Sequence, residues 1–282
     1  MRHLSVHFIR KSFLLLILCT SVSLSVSAQE DWADYVTVKD HKVMSISLDL
    51  SLDLNRPNYQ YLLVVGGRFR DCMQNGFPGD SGLSEIFALS DSVASTLERK
   101  TRIRLAGFIT YQCMAFDVFY AKDTIGLRDA LSDMVSDHFR DKSLYLDIKS
   151  DKGWLYYKSF LYPGSFSSEF LIDQEYLTDL VLQGDDLQEP RRIYHWFYFK
   201  TLKKRKSMSA KLKQLNFSLD SIAYVRERFN PYQLTVSRKD SVVPGAIYEL
   251  TTMLRNLSYT MNAEYDGWST LLHTGEQKNS SK

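Results

Sequence analysis

From Met44 to Asp53 the chain alternates. Met44, Ile46, Leu48, Leu50 and Leu52 are apolar; Ser45, Ser47, Asp49, Ser51 and Asp53 are polar. A period of two sends one face to a core and the other to water, which predicts a strand of an antiparallel sheet. A second strand, Tyr61 to Arg70, follows the turn residues Asn55-Arg56-Pro57-Asn58. Beyond a Gly-, Asn- and Pro-rich loop from Asp71 to Gly82, the period changes. Leu83, Ile86, Phe87, Val93, Ala94 and Leu97 recur at helical spacing, and Asp80 or Ser81 can cap the first turn. Strands are expected near Arg102 to Thr110 and Cys113 to Tyr120, a helix near Ile125 to Phe139 and a strand at Leu144 to Lys149, before an aromatic stretch from Trp154 to Tyr162. The order ββ-α-ββ-α-β predicts an α+β domain with helices on one face of a mostly antiparallel sheet.

Residues 166 to 190 read as a connector with one short helix around Asp173 to Leu182, stopped by Gly184-Asp185-Asp186. A second, smaller unit follows over 191 to 273. Its strands are Ile193 to Lys200, Ser221 to Arg228, Tyr232 to Arg238 and Tyr265 to Leu272, and its helices are Lys206 to Leu215 and Pro244 to Met261. The order βα-ββ-αβ is that of a ferredoxin-like split βαβ sandwich. The last residues, 274 to 282, are polar and read as a disordered tail.

The first 28 residues change the compartment. Arg2, Arg10 and Lys11 precede the apolar run Phe13 to Leu18, and Val26-Ser27-Ala28 offers small residues for cleavage. This is the pattern of a secretory signal peptide, with Gln29 as the mature start. The apolar run is far short of the ~20 residues that a membrane span needs, and no later segment approaches one. A lipid anchor on Cys19 is the alternative, disfavoured by the bulky Leu18 before it. Three of the 35 basic residues lie in the leader. The mature chain then has 32 basic against 33 acidic residues, a net charge of −1 in place of +2. A general attraction to nucleic acid or anionic membrane is not expected. Two cysteines remain, Cys72 and Cys113. In an exported protein they can pair, or each can sit as a small buried hydrophobe.

Few residues suggest catalysis. Gly79-Asp80-Ser81-Gly82 resembles the surroundings of a serine nucleophile, but only His41 precedes it in the mature chain, so Asp80 and Ser81 read better as helix caps. His41, His138, His195 and His273 are scattered. Asp129, Asp133 and Asp137 share one helix face, which reads as solvated. Gly66-Gly67 reads as a bulge or a close approach, and no phosphate loop is present. No cofactor or metal is expected. Between Lys200 and Lys213 lie seven cations, with Lys203, Lys204, Arg205 and Lys206 as the densest basic patch. Tyr194, Trp196 and Tyr198 on the strand before it could stack bases, which leaves nucleic acid as a second class of partner.

Two resemblances add to this reading. Pro190-Arg191-Arg192, His195-Trp196-Phe197-Tyr198-Phe199 and the ending Glu264-Tyr265-Asp266-Gly267-Trp268 resemble regulator of ribonuclease activity B, RraB, the ribonuclease E inhibitor family, over the last third of the chain. Gly76-Phe77-Pro78, the strands around Thr110 and Phe119-Tyr120, and Trp154 through Leu161-Tyr162-Pro163 make residues 29 to 165 similar to the uncharacterised bacterial family catalogued as domain of unknown function 695. The RraB resemblance implies a ferredoxin-like fold and action by protein binding, without catalysis. The expected function is that of an exported, non-catalytic, protein-binding or regulatory module. A nuclease regulator or nucleic-acid binder is the alternative, and an enzyme of unassigned chemistry the third. The expected interaction surface is His195, Trp196, Tyr265, Asp266 and Trp268, toward an unidentified protein partner.

Overall fold

The computed structural model describes residues 31–55, 58–162, 164 and 166–274. The expected leader and cleavage site, Cys19 and the expected tail beyond Thr274 lie outside the described residues.

Among the described residues ten strands form two sheets. The first holds β1 (Trp32–Lys39), β2 (Lys42–Asp49), β3 (Tyr61–Arg68), β4 (Ile103–Tyr111), β5 (Met114–Ala121) and β6 (Leu144–Ser150), in the order β1-β2-β4-β5-β3-β6. The second holds β7 (Arg191–Phe199), β8 (Ser218–Tyr224), β9 (Tyr232–Asp240) and β10 (Ala263–Thr270), in the order β10-β7-β9-β8. Every pairing is antiparallel. The helices are α1 (Asp80–Glu98), α2 (Leu127–His138), α3 (Ser168–Leu182), α4 (Leu202–Gln214) and α5 (Pro244–Met261).

The second sheet has the strand order of a split βαβ sandwich: fourth, first, third, second. The unit β3-α1-β4-β5-α2-β6 has the same order, β6-β3-β5-β4. The chain therefore holds one topology twice, with the β1–β2 hairpin added on the β4 edge of the first copy.

The hairpin begins with a strand that the alternation did not mark, because Asp34, Thr37 and Lys39 dilute the apolar positions of β1. Asp40 and His41 both have positive φ, 49° and 59°, as a two-residue turn between twisted strands requires. The alternation continues to Asp53, but β2 stops at Asp49. There the Asp49 carboxylate accepts from the Ser51 N–H at 2.8 Å and its hydroxyl at 2.6 Å, turning the chain. At Gly66 the strand stays regular, and a Cβ would overlap the Ala115 carbonyl, so the glycine serves close approach without a bulge.

In the first unit α1 and α2 cover one sheet face, packing Leu89, Val93, Leu97, Leu127 and Leu131 on Leu63, Val65 and Phe119. The other face is not left to water. Trp154, Tyr157 and Leu161, the last two in a π-turn, pack on Leu62, Val64, Val118 and Tyr120. Asp151 starts this segment by accepting from the N–H groups of Leu155 and Tyr156 and from the Tyr120 hydroxyl at 2.7 Å.

The segment expected as a connector holds α3, a 15-residue helix with a buried face. Leu177, Leu180 and Val181 join Val36, Val43 and Phe77 of the first unit to Phe197, Leu250, Leu254 and Trp268 of the second in one core. Polar contacts follow the same seam. The Val36 N–H donates to Gln174 Oε1 at 2.9 Å, and Asn75 Nδ2 donates to the carbonyls of Val181 and Asp185 at the C-terminal end of α3. Cys72 and Cys113 form a disulfide, Cα to Cα 5.5 Å, that ties the loop after β3 to the β4–β5 turn.

Candidate interaction surface

The four residues Tyr265-Asp266-Gly267-Trp268 do not share a face by simple alternation. Tyr265 lies opposite Phe197 and Trp268 opposite His195, and the register shifts between them. The extra residue is a β-bulge, and Gly267 supports it with φ +100°, a conformation that side chains rarely adopt. The bulge turns both Tyr265 and Trp268 inward, and it leaves Asp266 exposed.

Trp268 is 9% exposed, and its Nε1 donates to Asp173 Oδ1 at 3.0 Å. The same carboxylate accepts from the Thr251 hydroxyl at 2.5 Å and takes two hydrogen bonds from the Arg255 guanidinium, each at 3.0 Å. Asp173 is fully enclosed, so this is a buried ion pair with every carboxylate oxygen engaged. His195 sits beside it, Nδ1 2.9 Å from the Tyr265 hydroxyl, with Phe217 edge-on. Burial, reinforced by the positive charge of Arg238, pushes the His195 pKa down to about 3, so the ring is neutral at physiological pH. Burial pushes the Tyr265 phenol well above its usual range. His195, Tyr265 and Trp268 are thus core residues.

The opposite face of the second sheet is different. Tyr194, Trp196 and Tyr198 alternate along β7 against Ser237, Thr235 and Gln233 on β9. The helices pack on the other side, with Ile193, Phe197, Phe199, Leu234 and Val236. Trp196 stands half-buried in the middle of this face, which the helices leave bare, between two charged ends; Tyr198, Thr235 and Ser237 around it are buried. At one end the Arg228 guanidinium lies 3.8 Å over the Tyr198 ring and donates to Asp266 at 3.2 Å and Glu264 at 3.5 Å. Phe229 beside it is 83% exposed, and Lys200 lies over its ring. At the other end Arg192 and the Ser237 hydroxyl meet Asp220. Of the five residues expected at the surface, Trp196 and Asp266 lie on this face and the other three lie beneath it.

The basic patch is divided too. Arg205 turns toward the sheet, donating to the carbonyls of Ala223 and Gln233 and lying over Tyr232. Lys203 and Lys206 are exposed and Lys204 partly so. They ride on α4, which packs on the helix side of the sheet, whereas Trp196 is on the other side. Cations and aromatic strand therefore do not form one platform.

The remaining candidates for chemistry are structural. Ser81 Oγ donates to the Asp71 carboxylate at 2.8 Å at the start of α1. Asp129, Asp133 and Asp137 face solvent, and no group of three or more His, Cys, Asp or Glu converges among the described residues. Between α1 and α2 an open cleft of about 470 Å³ is lined by Asp91, Thr96, Arg99, Asp133 and His138. Asp117 is a buried carboxyl, pushed up to about 6 by burial against the stabilising Ser90 hydrogen bond at 2.8 Å, with Asp91 adding to the rise.

Alternation could not separate the two faces around the bulge. Asp173, Thr251, Arg255, Arg228 and Phe229 went unmarked by sequence reasoning. The signal for Asp173 was a carboxylate in line with Leu177, Leu180 and Val181 on the apolar side of its helix.

Residues 172–270 match the family described as Regulator of ribonuclease activity B, RraB, and residues 30–162 match the Family of unknown function (DUF695). The two halves match two different families. The RraB match opens inside α3, one residue before Asp173, in agreement with the hydrogen bonds that tie this helix to α5 and β10. No curated protein matches the chain. Among solved structures, one described as a candidate glycine cleavage system transcriptional repressor is 10% identical, covering 76% of this chain and 98% of its own, with a TM-score of 0.24. An unknown protein from Galdieria sulphuraria is 10% identical, covering 74% and 96%, with a TM-score of 0.21. At these values neither likeness carries an argument. No described helix is long and apolar enough to cross a membrane.

Proposed function

We propose that the protein is an exported, non-catalytic binding module whose RraB-like unit presents the bare face of its sheet to a protein partner. The observation that carries this reading is Trp196, half-buried at the centre of an uncovered face between the Arg228–Asp266–Glu264 and Arg192–Asp220 ends. An aromatic anchor ringed by polar groups is the pattern of an interface centre. Export is supported by the charged and apolar segments of the leader and by the Cys72–Cys113 disulfide, a bond kept in oxidising compartments. Against catalysis stand the enclosed His195 and the engaged Ser81.

The test is affinity capture from envelope extracts with the wild type, Trp196→Ala and Asp266→Ala, alongside intact-mass measurement of the native protein. The reading expects a mature start at Gln29 and a specific protein that both variants lose. Capture unaffected by either variant, or a full-length mass, would overturn it. The cation-rich α4 favours a second reading, nucleic-acid binding. That reading expects recovery of RNA, steeply weakened by salt and lost when Lys203, Lys204 and Lys206 are neutralised.

A further inference from the structure

β8 is the outermost strand of the second sheet, and nothing in the sheet pairs with its far edge. Such an edge offers a row of free N–H and C=O groups to another extended chain. Proteins commonly blunt it with charge; here Leu219, Ile222 and Tyr224 are 57%, 55% and 62% exposed. All three lie on the helix side of the sheet, opposite Val236, Leu234 and Tyr232. A bulge between Leu219 and Ser221 takes up Asp220, whose carboxylate turns to Ser237 and Arg192 on the other face. The apolar strip is left without an acidic group of its own, and Ser221–Tyr224 remains a regular edge.

α4 runs alongside. Arg205 fixes its placement through the Ala223 and Gln233 carbonyls. Leu202, Lys206, Ser209 and Lys213 follow one another at helical spacing along the flank next to Arg205, and Leu202, Lys206 and Lys213 are exposed. The helix carries Lys203, Lys204, Arg205, Lys206, Lys211 and Lys213 and no acidic residue. Arg205 ties α4 to β8 and β9, so the edge offers free backbone and an apolar strip beside a helix that carries only cationic charge.

We infer that β8 is a peptide-docking edge that takes an extended acidic segment of a partner protein, with apolar residues at alternate positions, as a fifth strand. The partner's apolar side chains lie beside Leu219, Ile222 and Tyr224, and its carboxylates face Lys206 and Lys213. This is strand addition, in which the backbone ladder supplies affinity and the side chains supply choice. Charge decides against a second copy of the chain, because pairing β8 with β8 would set two cationic α4 helices side by side. Residues 275–282 contain no apolar side chain and so do not match the strip. The inference rests on the protein-binding reading above but uses a surface on the other side of the sheet from Trp196.

The test uses the mature chain and a short, fluorescein-labelled peptide of alternating Val and Glu, followed by anisotropy. The expected result is that the Val–Glu peptide binds at least about tenfold more tightly than a Val–Lys peptide. Lys206→Glu/Lys213→Glu, two exposed positions whose fold is checked by circular dichroism, should invert that preference. Backbone N-methylation of the Val–Glu peptide should abolish binding, and Trp196→Ala should leave it unchanged. Equal binding of the two peptides, or undiminished binding of the N-methylated one, would overturn the inference. So would self-association of the chain that the peptide displaces. A failed peptide assay with envelope capture still lost in Trp196→Ala would remove the β8 edge and leave the binding-module reading standing.

Discussion

Asp173 is where the architecture can be tested most sharply, because one carboxylate joins α3, α5 and β10. Asp173→Ala leaves Arg255, its side chain 20% exposed, without its bidentate partner and the Trp268 N–H without its acceptor, while the Thr251 hydroxyl keeps only the Tyr248 carbonyl at 3.3 Å. Breaking a buried pair from one side costs about 3–5 kcal/mol, because the surviving charge remains in a poor solvent. Arg255→Ala should cost a comparable amount, since it strands Asp173 as an enclosed charge held only by the Thr251 and Trp268 hydrogen bonds. The double replacement Asp173→Leu/Arg255→Met should recover most of the loss, because an apolar pair has no uncompensated charge. Urea unfolding followed by tryptophan fluorescence gives the four free energies of the cycle. The reasoning is refuted if Asp173→Ala costs under about 1 kcal/mol, or if the double variant is as unstable as the two singles added together.

Gly267→Ala meets no atom within 4 Å of its new Cβ, so only the φ of +100° opposes it. A loss of about 1–2 kcal/mol in melting experiments is expected, and a neutral result would show that the bulge is not held as described. Asp117 gives a pH-dependent prediction. Its folded carboxyl holds a proton up to about pH 6, against 3.8 for the ordinary group. Rising pH strips the unfolded chain first, so stability falls across that interval and stays reduced above it. Asp117→Asn should therefore raise stability at pH 7 by roughly 2–3 kcal/mol and match the wild type below pH 4. Equal melting temperatures at pH 7 would refute the assignment.

Much of the fold was legible where burial imposes a period. Pro244–Met261 is one helix from end to end as the spacing reads, with Pro at its first turn. The strands of both split βαβ units are found near their expected places. What escaped had physical reasons. β1 has too few contrasting positions to show a period. In the segment 166 to 190 the spacing predicts a short helix from about Asp173 to Leu182; α3 ends there but starts earlier, at Ser168, and Asp173 and Gln174 form its polar bonds to both units. The motif Tyr265 to Trp268 was readable as a turn with anchors, but which side each residue faces depends on a bulge that resets the alternation.

Under the binding-module proposal, the repeated topology narrows the surfaces left for a partner. A split βαβ sheet is covered by its helices on one face only, and the residues of the other face decide what becomes of it. In the first unit that face is Leu62, Val64, Val118 and Tyr120, too apolar for water, and the chain supplies Trp154 to Leu161 to cover it. In the second unit the same face carries Tyr194, Trp196, Tyr198, Thr235 and Ser237; the last three are buried among their neighbours, with the Tyr198 and Ser237 hydroxyls engaged, and the half-buried rings of Tyr194 and Trp196 are what it offers to another surface. No covering segment is required there. The helix side is committed where the helices pack and where α3 joins it to β1 of the first unit, and it stays open along β8. Of the second sheet, the bare face and the β8 edge are what remain to meet another molecule. In the two proposals the first takes a surface with an aromatic-binding recess between charged ends, and the second takes an acidic strand. A single partner that engages both would wrap around β8, so binding of that partner should weaken in Trp196→Ala and in Lys206→Glu/Lys213→Glu alike, whereas the isolated Val–Glu peptide responds only to the second.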